Sequence, residues 1–350
     1  MALLVLAIGC RARHGAEHRV VLKLCHPASR DFLVAMEQTA REFEAQQPTI
    51  RIKRVLIEKD YYSKLMTMTA GGTAPDVMWM GQAFGDFATR GAFLEIDGLL
   101  RQEPGFKLED YYTQVVDWYR HEGKLYGFPY GIDCDMLFYN KNLFQAADMP
   151  FPDASWTLDQ FVEAAQRLTL DVDGDGRRDQ FGYAGGVYFG TFGGKMLDDG
   201  WTRCTLNTPP VIASLRFSID LRDKHRVVPS ERLGDQAKSI GESLAFAMGK
   251  LAMFRSYTWK LIEFREHIKD FDWDVCLMPH LKGRPPCHWA SSSGFAISRQ
   301  TAHPAEAWLL LKHLMTREFQ LRMATSTIPT LRPAAAEWVA SNREKPANLH

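Results

Sequence analysis

The sequence predicts a two-domain α/β protein, and two observations carry that prediction. The chain has 350 residues, which is more than one hydrophobic core usually supports. Its first part alternates strand and helix patterns in the order strand 20–24, helix 32–46, strand 50–57, helix 61–70 and strand 77–80. This order is typical of an open parallel sheet, in which ligands lie beyond the carboxyl ends of the strands.

Short-range signals support these first elements. Ile50 and Ile52 alternate with two basic residues, which is the pattern of a strand with one solvated face. Asp60 precedes the second helix, where its side chain is expected to cap the helix N-terminus. The loops 26–30 and 81–85 follow the first and third strands, so the rule for parallel sheets predicts that they face a ligand.

The segment 124–144 is the stretch in which the chain is expected to pass from one domain to the other. Pro129 stiffens an extended entry, and the bulky apolar run 136–139 is typical of a buried strand. Between these anchors Asp133 and Asp135 alternate, so both point to one side of an extended chain. A polar face held between two apolar anchors predicts a strand that leaves one core and enters another.

Helix and strand signals continue through the second half of the chain. Thr157 and Gln160 form a capping-box sequence, and Pro304 fits the first position of a helix. Further patterns predict a helix at 209–221 and a strand at 275–279.

An aspartate-rich loop imitates the start of a calcium-binding loop, where oxygen ligands alternate around a sharp turn. Its acidic residues are Asp171, Asp173, Asp175 and Asp179. The glutamate that such a loop requires later is missing, because Gly182 occupies its place. A solvated turn is therefore the favoured interpretation, with calcium as the alternative.

Composition and cysteine spacing argue against several classes of function. Lys plus Arg and Asp plus Glu each number 42, and this zero net charge argues against a nucleic-acid or anionic-membrane partner. No HExxH, GxSxG or Walker A sequence occurs, so the sequence predicts no cofactor and no catalytic residue. The six cysteines include no CxxC pair, and most of them are expected to be small buried hydrophobic residues. Cys276 and Cys287 are the expected pair if a disulfide exists.

The first ten residues are a short apolar run that ends at Cys10. The run is too short to span a bilayer, which takes about 20 residues, and it is typical of the end of a secretion signal. Residues 8–10 also resemble a bacterial lipobox, in which the Cys10 thiol would carry the lipid. The alternative is a buried N-terminal strand.

Several ordered motifs resemble those of the family 1 extracellular solute-binding proteins of ABC importers, the maltose-binding-like receptors. Two runs in the N-terminal third match the family pattern, 71–76 and 91–96. An apolar strand and the segment after it lie between these runs. The segment 124–144 resembles the family's first crossover between lobes, 289–298 the return crossover, and 328–330 a third crossing.

This resemblance implies the periplasmic-binding-protein fold, in which two lobes, each a mostly parallel sheet flanked by helices, are joined by hinge strands. The N-terminal lobe would comprise 20–132 with 289–328, and the C-terminal lobe 133–288 with 329–350, incomplete at its end. Closure on a ligand in the interlobe cleft would present the loaded form to the membrane permease. The protein would be a monomer in the periplasm or on the outer face of the cytoplasmic membrane.

The resemblance also implies a sugar or oligosaccharide ligand, with aromatic side chains stacking on sugar rings and polar ones bonding the hydroxyls. The residues expected to bind it, by their place in the family pattern, are His26, Gln82, Phe84, Tyr130, Asp133, Tyr188, Tyr257, Trp259, Ser292 and Arg332. Arg332 would suit an anionic ligand, such as a phosphorylated or acidic sugar. The family's ligand classes also include glycerol phosphodiesters, which are an alternative ligand.

Two other classes of function stay open. Asp133 and Asp135 could be the carboxylate pair of a secreted glycosidase, although two carboxyls on one side of a strand make opposite-face attack awkward. A sensor-coupled binding protein would take the same ligand but pair with a receptor. The favoured interpretation is a binding protein in which Asp133 accepts hydrogen bonds from sugar hydroxyls and Asp135 caps or pairs locally.

Overall fold

The structure is a computed structural model that describes residues 19–28, 30–198, 202–230, 241–325, 327–341 and 346–347. Its strands are β1 Val20–Pro27, β2 Ile50–Ile57, β3 Val77–Met80, β4 Arg120–His121, β5 Lys124–Leu125, β6 Gly127–Asn140, β7 Phe181–Ala184, β8 Leu251–Tyr257, β9 Trp273–Cys276, β10 Ala290–Ile297 and β11 Ile328–Pro329. Its α-helices are α1 Arg30–Gln46, α2 Tyr61–Ala70, α3 Phe84–Thr89, α4 Asp97–Arg101, α5 Thr113–Val116, α6 Lys141–Ala146, α7 Leu158–Arg167, α8 Pro209–Asp223, α9 Glu242–Ala247, α10 Lys260–His267, α11 Pro304–His313, α12 Arg317–Met323 and α13 Arg332–Ser341. The predicted signal segment and the lipidation site at Cys10 lie outside the described residues.

The described chain divides into two units. Unit 1 holds the residues up to Glu103, with His121–Gly127 and Phe295–Leu314. Unit 2 holds Pro104–Arg120, Phe128–Gly294 and the residues from Met315 onward. The α/β fold class is confirmed, whereas the predicted lobe bounds, which differ from these ranges, stay a prediction.

In unit 1, β1 pairs in the parallel direction with both β2 and β3, as predicted. β1 pairs with β2 along its whole length, from Val20 opposite Ile50 to Pro27 opposite Ile57, and β3 pairs with the end of β1. Helix α1 packs against β2. Three apolar side chains of α1, spaced three or four residues apart, are buried: Met36, Ala40 and Phe43.

In unit 2 the long strand β6 is the centre of a mixed sheet. β8, β9 and β11 all pair with β6 in the antiparallel direction, and β7 runs parallel to β8. The expectation of a mostly parallel sheet therefore holds for β1, β2 and β3 and not for the pairings of β6.

Alternate residues of β6 face two separate hydrophobic cores. Met136 and Phe138 pack into a cluster that includes side chains of α10, and Leu137 and Tyr139 pack into a second cluster with side chains of α7. All four are less than 10% exposed. A strand that is buried on both faces is continuously apolar in sequence, which explains why the run 136–139 predicted it correctly.

Two local helix signals had different outcomes. The capping box is confirmed, because the Thr157 N–H donates to Gln160 Oε1 at 3.0 Å and the Gln160 N–H donates to Thr157 Oγ1 at 3.5 Å. The predicted side-chain cap by Asp60 is wrong. This residue has φ 55° and ψ 43° and makes no cap hydrogen bond, whereas a capping side chain needs an extended backbone to reach the first turn.

One further prediction in unit 2 needs correction. The strand expected at 275–279 lies at Trp273–Cys276, because it is these residues that pair with β6. Cys276 and Cys287, which were the expected pair only if a disulfide exists, are both free thiols. Cys276 lies opposite Leu137 and packs against the core, whereas Cys287 is exposed and lies near Gly190, so the two cysteines occupy different places.

Candidate functional site

The candidate site in unit 2 forms around residues 131–135 of β6. Asp135 lies opposite Tyr257 of β8, and its backbone N–H donates to the Trp289 carbonyl at 3.0 Å. A Cβ atom on Gly131 would lie 2.3 Å from the Thr327 hydroxyl oxygen, so only glycine permits this approach. The polar part of β6 is thus in contact with three other stretches of the chain.

The Asp133 carboxylate is 6% exposed and accepts hydrogen bonds from two hydroxyl groups. Thr258 Oγ1 donates to Oδ1 at 3.1 Å, and Ser293 Oγ donates to Oδ2 at 3.3 Å. The nearby Thr327 hydroxyl donates to the Ile132 carbonyl at 3.0 Å. Burial raises the pKa of Asp133 to about 6, although hydrogen bonds act in the opposite direction. A carboxylate has about four acceptor positions, so positions remain for a further donor.

Asp135 forms a buried ion pair with Arg255 of β8. Arg255 Nε and Nη2 lie 2.9 and 2.8 Å from Asp135 Oδ2, and the side chains are 11% and 1% exposed. The other carboxylate oxygen, Oδ1, accepts from the Trp289 N–H at 3.0 Å, and His288 Nδ1 lies 3.8 Å from it. The prediction that Asp135 pairs is confirmed, but its partner is 120 residues away instead of local.

Three aromatic rings next to this ion pair form what we call the aromatic platform: Tyr257, Trp259 and Trp289. Tyr257 and Trp259 are stacked, with ring centres 4.2 Å apart and planes at 18°. Trp289 meets Tyr257 edge-on at 4.8 Å and Trp259 at 6.0 Å. Trp259 is 39% exposed and the other two are half-buried, so part of the platform is open to solvent.

The loop before the 3₁₀ helix Phe189–Phe192 brings Tyr188 to the same region. A Cβ atom on Gly190 would lie 2.3 Å from the Tyr188 ring and 2.9 Å from Cys287 Sγ, so the glycine allows the two segments to touch. Burial raises the pKa of Tyr188, and the nearby Cys287 and Asp135 add to the shift. Tyr188 is therefore a neighbour of the segment that carries Trp289.

The chain matches a known protein family over most of its length. The family model described as bacterial extracellular solute-binding protein matches residues 29–321. The chain belongs to this family. The family and the fold are those of substrate-binding proteins, which confirms the resemblance found in the sequence.

Similar proteins include curated relatives and solved structures. This solute-binding protein is 23% identical over 298 residues to a binding protein of Brucella abortus, covering 82% of this chain and 69% of the relative. It is 26% identical over 229 residues to the galactooligosaccharide-binding protein of Bacillus subtilis, covering 61% and 50%. The ABC substrate-binding protein of Listeria monocytogenes in complex with cycloalternan is similar in structure, with a TM-score of 0.79, 21% identity and coverage of 92% and 83%.

Several predicted residues of unit 2 lie in this solute-binding protein's candidate site, namely Asp133, Tyr188, Tyr257, Trp259 and Ser292. Ser292 is 4% exposed and its hydroxyl donates to the Gly131 carbonyl at 3.1 Å, so it is the neighbouring Ser293 that contacts Asp133. Their part in ligand binding stays a prediction.

Two other predicted residues of unit 2 are engaged elsewhere. Tyr130 is 2% exposed and packs on Phe319 with ring centres 5.3 Å apart. Arg332 Nε donates to the Tyr111 carbonyl at 3.2 Å, and its guanidinium lies 4.6 Å from the centre of the Tyr112 ring. Both side chains hold parts of unit 2 together in this structure.

The remaining predicted residues, His26, Gln82 and Phe84, belong to unit 1. β1 extends through Pro27, so His26 lies in a strand instead of the predicted loop; it is fully buried and stacked on Phe32. Burial lowers the pKa of His26 to about 4. Gln82 is exposed, and Phe84 is 4% exposed and stacked on Phe93. Their part in ligand binding also stays a prediction.

Sequence reasoning missed Arg255, Thr258, Trp289 and Ser293 as site residues. One signal was present for Arg255, because a charged residue inside an apolar strand needs a buried partner of opposite charge. Asp135 was an obvious candidate, but no sequence pattern joins residues so far apart. Trp289 and Ser293 lie within the predicted return crossover 289–298. The residue predicted there, Ser292, is the neighbour of Ser293 in the sequence.

The aspartate-rich loop brings carboxylate oxygens of Asp171, Asp173 and Asp179 within 4.8 Å of one another, all exposed. The Asp171 carboxylate already accepts from the N–H groups of Gly174 and Gly176, each at 2.8 Å. Backbone N–H groups of the loop thus already donate to carboxylate oxygens of the same loop. The solvated turn stays the prediction. Among the described residues, no helix is both long and apolar enough to cross a bilayer.

Proposed function

We propose that this solute-binding protein is the extracytoplasmic component of an ABC importer and that it binds a sugar or oligosaccharide. The observation that carries the proposal is the aromatic platform beside the Asp133 carboxylate. Thr258 lies between Tyr257 and Trp259 in the sequence and donates to Asp133 at 3.1 Å, which places the carboxylate next to the platform.

This combination of groups suits the chemistry of a pyranose. The C–H faces of a sugar ring are apolar and stack on aromatic rings, while its hydroxyls need acceptors at the ring edge. Asp133 is mainly ionised at pH 7, above its pKa of about 6, so it acts there as a charged acceptor. Hydrogen bonds to an ionised acceptor are stronger than those between neutral groups. A neutral ligand also avoids the repulsion that a phosphodiester would meet beside Asp133.

The similar proteins support the same ligand class. The Listeria monocytogenes protein was solved with cycloalternan, and the Bacillus subtilis relative is named for galactooligosaccharides. Identities of 21% and 26% leave the individual sugar open, so the proposal extends to the class of carbohydrates and not to one member.

The ion pair argues against the glycosidase alternative. A glycosidase needs two carboxyl groups that flank the scissile bond, one as acid and one as base or nucleophile. The raised pKa of Asp133 would fit the acid. Asp135 cannot be its partner, because it is 1% exposed and both of its oxygens are engaged by Arg255 and Trp289. Binding without turnover is the function that these contacts favour.

The remaining parts of the proposal follow from membership of the family. We propose that the ligand-bound form docks on the permease of an importer, and that the protein acts as a monomer in the periplasm or on the outer face of the cytoplasmic membrane. A lipid on Cys10 would hold it there. The interlobe cleft and hinge closure implied by the resemblance stay predictions, as does the alternative partner, a sensor.

A thermal-shift screen over monosaccharides, oligosaccharides, polyols and glycerol phosphodiesters tests the ligand class. A ligand present at 100 times its Kd stabilises the folded state by about 2.7 kcal/mol, so a true ligand raises the Tm measurably. We expect at least one neutral carbohydrate to raise the Tm and to change the Trp emission. A screen in which only anionic compounds act, or no compound acts, would overturn the proposal.

A further inference from the structure

Asp135 holds the backbone of one platform residue, Trp289, through two hydrogen bonds. Its Oδ1 atom accepts from the Trp289 N–H at 3.0 Å, and its backbone N–H donates to the Trp289 carbonyl at 3.0 Å. Trp289 therefore cannot shift along β6 without breaking both bonds. The Asp135 side chain is 1% exposed, so its carboxylate is available for this contact and not for a ligand.

Arg255, the partner of Asp135, contacts a second platform residue. Its guanidinium carbon lies 5.3 Å from the centre of the Tyr257 ring, within the range of a cation–π interaction. The same guanidinium donates to Asp135 Oδ2 through Nε and Nη2. One rigid, planar group thus fixes the Tyr257 ring relative to the carboxylate that holds Trp289.

We propose that Asp135 and Arg255 are positioning residues that set the angle of the aromatic platform and thereby its preference for ring-shaped ligands. The platform needs positioning residues because its rings differ in orientation. The ring planes of Tyr257 and Trp289 meet at 67°, and those of Tyr257 and Trp259 meet at 18°. Stacking depends on that geometry, whereas hydrogen bonding to Asp133 does not. A loosened platform should therefore lose ring ligands and keep open-chain polyols. This inference rests on the proposed function only for its ligand class.

The variant Arg255→Lys isolates the effect. Lysine keeps the positive charge that a buried Asp135 requires, but it lacks the planar group that contacts Tyr257 and Asp135 together. Gln320→Leu is the control, because it removes a different buried polar clamp of unit 2, on Thr330 and Leu331, and touches no platform ring. Both variants are expected to lower the Tm.

The first measurement needs no ligand. Near-UV circular dichroism of the full chain reports the fixed arrangement of Tyr257, Trp259 and Trp289, and Trp289→Ala shows how much of the signal the platform supplies. We expect Arg255→Lys to lose most of that share and Gln320→Leu to keep it. A spectrum of Arg255→Lys that equals the wild type would overturn the proposal, whatever its Tm.

The second measurement titrates maltotriose and mannitol into the same proteins. We expect Arg255→Lys to weaken maltotriose binding at least tenfold and mannitol binding less than twofold, and Gln320→Leu to leave the ratio unchanged. Equal losses for both probes would contradict the positioning role. If wild-type protein binds neither probe and the carbohydrate screen is also negative, the proposed function fails, while the ligand-free spectra still decide the positioning claim.

Discussion

The indole ring of Trp259 lies nearly parallel to the phenol ring of Tyr257, with ring centres 4.2 Å apart. One face of the indole therefore rests on Tyr257, yet the residue is 39% exposed. A ring that is held in place before the ligand arrives loses little conformational entropy on binding. This preformed surface is the basis of the first prediction.

Replacing Trp259 with alanine is expected to weaken carbohydrate binding about tenfold, or about 1.4 kcal/mol, because the stacking surface is lost. The Tm should change little, since the residue is partly exposed. Isothermal titration calorimetry with the carbohydrate found in the screen gives the Kd. Trp118→Ala is the matched control, as Trp118 is 46% exposed and lies in unit 2 outside the platform. An unchanged Kd in Trp259→Ala would remove this residue from the site.

Replacing Asp133 with asparagine is expected to stabilise the protein at pH 7 and to weaken ligand binding. Burial raises the pKa of Asp133 from 3.8 to about 6, so the folded state holds a proton more tightly than the unfolded state does. Folding stability contributed by this group is therefore fully present below pH 4 and is lost as the pH rises through 6. At pH 7 the ionised form costs at most about 3 kcal/mol.

Urea denaturation between pH 4 and 8 checks this prediction. The difference in the free energy of unfolding between Asp133→Asn and wild type should grow from pH 4 to pH 7. The same variant should bind the carbohydrate more weakly, because asparagine is an uncharged and poorer acceptor. A difference that does not change with pH would contradict the assignment of the pKa, and unchanged binding would contradict the role as acceptor.

Replacing Gly131 with alanine is expected to destabilise unit 2 by about 1–3 kcal/mol through overpacking. The new Cβ would lie 2.3 Å from Thr327 Oγ1 and 2.5 Å from Thr327 Cγ2, so that side chain must move. Thermal denaturation measures the effect. Gly85→Ala is the control: apart from its chain neighbours and the backbone of α3, no atom lies within 4 Å of its Cβ position, and alanine favours helix there by about 1 kcal/mol. Equal Tm values for the two variants would show that β6 and Thr327 are not in close contact.

Calcium is expected to have no effect on stability. The Asp171 and Asp179 carboxylates already accept backbone N–H groups of their own loop, and the glutamate that completes a calcium loop is missing. The Tm should therefore be equal within about 1 °C in EDTA and in millimolar CaCl₂. A Tm that rises with the calcium concentration would establish a metal site at this loop.

The sequence predicted elements whose signals are local. The strand Ile50–Ile57, helix α2 and strand β3 were predicted with their observed bounds, because alternation, glycine stops and apolar runs act over a few residues. The Asp60 cap failed for a local reason that sequence does not display, a left-handed backbone. β1 extends beyond the predicted strand 20–24 to Pro27, so His26 lies in a strand and not in the predicted loop.

The candidate site was predicted only in part, because its contacts are long-range. Asp133, Tyr257 and Trp259 were identified through the family resemblance. Arg255 and Trp289 were not, since their links to Asp135 cross 120 and 154 residues of chain. The side-chain contacts of this site depend on which strands pair in unit 2. A single sequence determines that pairing, but it contains no local pattern that reveals it.

A crystal structure of the protein grown with the carbohydrate that gives the largest thermal shift tests the central claim most directly. The account predicts a sugar ring stacked on Trp259, with one of its hydroxyls donating to the Asp133 carboxylate. A sugar bound elsewhere, with the aromatic platform still open to solvent, would contradict it.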